Sequence, residues 1–159
     1  MPDQIAGERF AKELLMTLNE TFESVHGLFL DKGTSLFETL ATITAEEASI
    51  PVSATCATLA AQVEHTRFYL DLVADHMEGI DAGKVDWGEI WRTVSAVTPD
   101  EWAASIDRLR ASYQRVVNII TTRTWEHEDA VFDAFGILAH TAYHLGEIRQ
   151  ALCTIKAAG

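Results

Sequence analysis

The segment His140-Thr-Ala-Tyr-His144-Leu-Gly-Glu147-Ile-Arg-Gln150 sets two histidines one helical turn apart inside an apolar stripe. Counted from Ile137, the residues His140, His144, Ile148, Ala151 and Ile155 come at offsets of three, seven, eleven, fourteen and eighteen, which share one face of a helix. The histidines therefore hold positions that the pattern reserves for core. A buried imidazole without a partner is costly, so any fold that accepts this helix has to bring something to the ring nitrogens. The spacing predicts a helix over residues 129–155 whose two imidazoles reach one common point.

Three more segments carry the helical period. Phe10, Leu14, Leu18, Phe22, Val25 and Phe29 predict a helix over residues 5–30, ended by Asp31-Lys-Gly33, with Glu8, Lys12, Glu13, Glu20 and Glu23 on solvated faces. After a short apolar turn (Leu36, Phe37, Leu40), Thr44-Ala-Glu-Glu47 reads as the cap of a short helix. A second long helix is expected over residues 53–77, capped by Ser53, with Leu59, Val63, Leu70, Val73 and Met77 on one stripe and Ala61, His65, Phe68 and Leu72 beside it. The pattern then dissolves over residues 79–97, where Trp87 and Trp91 stand four apart as on a short helical turn. Thr98-Pro99-Asp100-Glu101 is a capping box with proline in the first turn, and Trp102, Ile106, Leu109, Tyr113, Val116 and Ile120 continue as a buried seam. No stretch alternates like a strand. The expectation is one all-α domain over residues 1–159, a four-helix bundle with a long connector between its second and third helices.

Charge decides which partners fit. The 24 acids against 12 Lys and Arg leave a net charge of −12, with no basic cluster to neutralise a phosphate backbone, so nucleic acid is not an expected partner. No apolar run is long enough to span a bilayer, and the early acids of Met1-Pro-Asp-Gln-Ile-Ala-Gly-Glu do not resemble a secretion signal. Two cysteines make no disulfide framework. A reduced, cytoplasmic setting without membrane contact is expected.

His65 is a third histidine at a core-facing position, on a different helix from His140 and His144. Three neutral imidazoles suit a divalent metal, with zinc or nickel first and iron, copper or manganese as further options, and leave a coordination position open for an outside molecule. A closed structural site would want a fourth ligand, usually cysteine. Cys56 and Cys153 each lie nine residues from the histidine of their segment, half a turn round to the opposite face, and are expected to be small buried apolar residues. Thr141 stands where a metalloprotease helix carries its glutamate, so that mechanism lacks its base. His76 lies three turns from His65, too far to share an ion, and His26, His76 and His127 are expected to be structural or solvated.

The segment Ala60-Ala-Gln-Val-Glu-His65-Thr-Arg-Phe-Tyr-Leu70, together with the His140 to Gln150 stretch, resembles the DinB family of bacterial four-helix proteins. Asp86-Trp-Gly-Glu-Ile-Trp91 and the Thr98 to Trp102 segment add to the likeness, and the His-Leu-Gly-Glu-Ile-Arg-Gln tail is its most specific piece. The resemblance implies an up-down-down-up bundle, a metal held by His65, His140 and His144, and a homodimer. It further implies a small-molecule substrate. Some relatives transfer a low-molecular-weight thiol such as bacillithiol or mycothiol, and an open metal position suits lowering the pKa of a sulfur or of a water. A non-catalytic metal-binding or scaffold dimer is the alternative.

Ligand histidines need a partner for the second ring nitrogen. Gln62 and Tyr69, at minus three and plus four from His65, are the expected neighbours of that ring and of a bound thiol. Glu147, at plus three from His144, is expected either to orient a ligand or act as a base, or else to pair with an arginine at the surface.

Overall fold

The computed structural model describes residues 5–125 and 128–158, and the described residues form seven helices and no strand. Four are long: α1 (Gly7–Phe22), α4 (Leu59–Met77), α6 (Pro99–Thr122) and α7 (Glu128–Ala158). Three are short: α2 (Leu36–Leu40), α3 (Ala45–Ala48) and α5 (Glu89–Thr93). Helix starts follow the capping chemistry. Thr44 and Thr98 form capping boxes with Glu47 and Glu101, and Ser35 forms one with Glu38 at the apolar turn.

Two expected boundaries move, each for a visible reason. The first helix stops at Phe22 rather than near residue 30, because Glu20 turns inward. Its side chain is fully buried, not solvated, and its carboxylate accepts the backbone N–H groups of His26 and Leu28 at 2.8 and 2.9 Å and of Phe29 and Leu30 at 2.7 and 2.8 Å. Gly27, at φ 83°, lets the chain curl round that carboxylate. Burial alone would raise the pKa of Glu20, but the four donors outweigh it and hold the carboxyl down to about 2. The second boundary is the start of α4. Thr58, not Ser53, accepts the N–H of Ala61 at 3.2 Å, and Ser53 instead meets Cys56 Sγ at 3.1 Å in the preceding loop.

α4 packs against both α6 and α7, and α1 packs against the same two helices. Leu18, Phe22, Leu70, Leu109, Ile120, Ile137 and Ile148 are fully buried where these four meet. Truncating any one of these leucines or isoleucines to alanine costs about 2–5 kcal/mol. Trp102 pins α6 to the turn between α2 and α3 by donating Nε1–H to the Ile43 carbonyl at 2.9 Å. Both cysteines are exposed, contrary to the expectation that they are buried: Cys56 lies in the loop before α4, and Cys153 is on the outer face of α7. Among the described residues no helix is long and apolar enough to cross a membrane.

Candidate metal centre

α4 contributes His65 and α7 contributes His140 and His144, and the packing of these helices brings the three rings together. One ligand nitrogen from each lies within 4.8 Å of the other two. His65 Nε2 and His140 Nε2 are 3.1 Å apart, and the ring centroids are separated by 4.4 to 5.0 Å. Two nitrogens bound to one tetrahedral zinc at bonds of roughly 2.0–2.1 Å lie roughly 3.3 Å apart, so the spacing suits a shared ion.

The protonation state suits it too. Burial lowers the pKa of all three histidines; His140 is pushed down to about 3 by burial together with His144 and His65, whereas Glu147 works against the shift at His65 and His144. The rings are neutral at pH 7, each with one lone pair to give. The Nε2 atoms of His65 and His140 are within hydrogen-bond distance of each other, whereas their Nδ1 atoms are buried and have no hydrogen-bond partner among the described residues, so the cluster does not fully satisfy itself.

His144 is oriented from outside. Its Nδ1 lies 2.6 Å from Gln62 Oε1 and 3.0 Å from Glu147 Oε2. Both oxygens are acceptors, so Nδ1 carries the proton and Nε2 presents its lone pair to the other rings. Glu147 also accepts the Tyr143 hydroxyl at 2.7 Å, and among the described residues it pairs with His144 and not with an arginine. Gln62 therefore serves His144 rather than His65. Tyr69 likewise serves a different ring than expected: it stacks flat on His140, centroids 3.7 Å apart and planes 11° apart.

Sequence reasoning missed the cover over His65. Trp91 of α5 tilts over it at 4.4 Å between centroids and reaches to 6.5 Å from His144. The signal was the tryptophan pair in an otherwise irregular connector. Only Trp91 is in a helix; Trp87 sits in the turn before α5, edge-on to Phe68 at 6.0 Å.

The other histidines have their own partners. His26 Nε2 meets Asn19 Oδ1 at 2.7 Å and His76 Nδ1 meets the Asp133 carboxylate at 3.0 Å, whereas His127 lies outside the described residues. No Cys, Asp or Glu among the described residues joins the three histidines as a fourth ligand. Family models, curated proteins and solved structures give no match to the chain.

Proposed function

We propose that this chain is a DinB-like metal-dependent enzyme that holds a divalent ion at His65, His140 and His144 and transfers a low-molecular-weight thiol to an electrophilic small molecule, or activates a water. The observation that carries this reading is the convergence of three neutral imidazoles, two buried and one half-buried, with no fourth protein ligand among the described residues. In the same reading the four long helices run up-down-down-up, the protein is a cytoplasmic homodimer, and zinc or nickel is the ion. A bound ion supplies a Lewis acid that lowers the pKa of a thiol or water held in its open position.

The chain's own residues do the rest. Gln62 and Glu147 hold the His144 tautomer and aim Nε2 inward. Tyr69 stacks on the His140 ring and fixes its plane, and Trp91 tilts over His65. Glu147 is a positioning residue, since both of its oxygens are engaged by His144 and Tyr143.

Elemental analysis of protein purified without an affinity tag tests the first half: one divalent ion per chain is expected, lost in His140→Ala. Turnover of a model electrophile with bacillithiol, mycothiol or water tests the second. Metal bound by the histidines without turnover, and without exchangeable water on the ion, supports the non-catalytic scaffold instead. No metal in the wild type and no change in His140→Ala ends both readings.

A further inference from the structure

α7 differs from the other long helices in lacking a polar side over its middle. α1 and α6 turn charged residues outward, among them Lys12 and Glu13 on α1 and Asp107 and Arg110 on α6. From Ala130 to Gly146 the only Asp, Glu, Lys or Arg of α7 is Asp133, and it is buried with its carboxylate on His76. The outward positions of that stretch are Phe132, Phe135, Ala139, Tyr143 and Gly146, all exposed. A helix that is apolar all round is normally covered all round.

Three features say what covers it. The first is area. Phe29, Phe132, Phe135 and Tyr143 are 48%, 79%, 56% and 61% exposed. At about 200 Å² for a whole aromatic side chain, they leave roughly 500 Å² of ring uncovered. A stable interface takes about 800 Å² from each partner, about 65% of it apolar in homodimers, and the two figures agree. The second is shape. A hollow of about 470 Å³ beside these rings is lined by Leu138, Ala139 and Ala142 of α7 and by Leu28 and Phe29 of the segment after α1, with no charged residue. About a two-fold axis, an exposed ring of one copy enters the hollow of the other, and the same contact is made twice. The third is charge. At a net −12 the chain is repelled by an anionic leaflet, and two copies repel each other except through an uncharged face such as this one.

We infer that the outer face of α7, with Leu28 and Phe29 beside it, is where a second copy of this chain docks, α7 crossing its symmetry mate near Ala139. The inference rests on the homodimer of the function proposed above and assigns it a surface; it does not depend on the ion.

Sedimentation equilibrium of the full chain tests this, with far-UV circular dichroism as the check on folding. Wild type is expected to dimerise with a micromolar or tighter dissociation constant. It tightens from about 0.1 M to about 1 M salt, because screening relieves the repulsion between copies and the face has no ion pair to lose. Ala139 and Phe135 are exposed, so substitutions there retain the fold. Ala139→Arg sets two guanidiniums against each other across the axis and weakens association by at least about 100-fold, and Phe135→Ala by about tenfold. Ala111→Arg, the same change on the exposed face of α6, leaves it unchanged, as does His140→Ala. A wild type that stays monomeric at submillimolar concentration would overturn the inference together with the homodimer. A dimer that Ala139→Arg and Phe135→Ala leave intact would overturn the inference alone, since the homodimer then uses another face. A monomer that sediments with phosphatidylcholine vesicles would also overturn it, with a membrane as the cover. Metal content read on the same preparations keeps each of these results distinct from loss of the ion.

Discussion

The Tyr69 ring lies flat on the His140 imidazole, and its hydroxyl ends 2.9 Å from where a Cβ on Gly136 would sit. A glycine in the interior of α7 is disfavoured by about 1 kcal/mol relative to alanine, yet alanine here would push directly on the phenol. Gly136→Ala is therefore expected to leave thermal stability level or slightly raised while lowering metal affinity, because Tyr69 must move off His140. Adding Tyr69→Phe removes the obstructing oxygen and restores the affinity. Metal titrations of the two single variants and the double variant measure this coupling.

Metal removal gives the second prediction. A ligand that binds only the folded chain stabilises it by about 2.7 kcal/mol when present at one hundred times its dissociation constant. For a domain of this size that amounts to a rise in Tm of roughly 5–10 °C. Chelator-treated protein should melt lower by that margin and recover on addition of zinc or nickel, and His65→Ala should show no difference between the two conditions.

The two acceptors on His144 are redundant by design of the geometry, since Gln62 Oε1 and Glu147 Oε2 both meet the same N–H. Removing either alone should change metal affinity only a few-fold. Removing both in Gln62→Ala/Glu147→Ala should lower it by about 10- to 100-fold, the usual effect of losing the outer partner of a ligand histidine. Competition titration with a chromophoric chelator reads both effects.

Glu20 sets an acid limb. Its folded pKa is lowered from 4.5 to about 2, so its contribution to stability is fully present above pH 4.5 and is lost as pH falls through about 2. In Glu20→Gln the amide turns an NH₂ donor toward backbone donors and loses the charge. The variant should melt well below wild type at pH 7, and the gap should narrow steadily as melts are repeated from pH 4.5 down to pH 2.

The start of α4 can be tested by its cap. Thr58→Ala removes the acceptor for the Ala61 N–H and is expected to cost about 1 kcal/mol in urea unfolding. Ser53→Ala, in the loop, should cost next to nothing, whereas a helix starting at Ser53 would reverse the order.

Local rules carried far along this chain. The capping boxes at Thr44 and Thr98 depend on residues three apart, and the seams on α6 and α7 depend on a period of three to four, so both are written in neighbouring residues. The all-helical class and the placing of His65, His140 and His144 on inward faces were legible for the same reason. Glu20 was misread as solvated because the donors it accepts lie six to ten residues onward in a stretch whose apolar spacing still looks helical. Gln62 and Tyr69 were assigned to the ring on their own helix, when their partners are 82 and 71 positions away on α7.

Sequence alone determined the helical class, the inward stripes and the three histidines, but not where the first helix ends or the second long one begins, because the former follow from chain positions a few residues apart. Tertiary packing alone decided that the rings meet, which oxygen holds which nitrogen, that Trp91 folds over His65, and that His76 finds Asp133. Those relations depend on the angle and depth at which separate helices dock. No spacing within one helix encodes that, because it is set by how side chains from all of them fill the shared core.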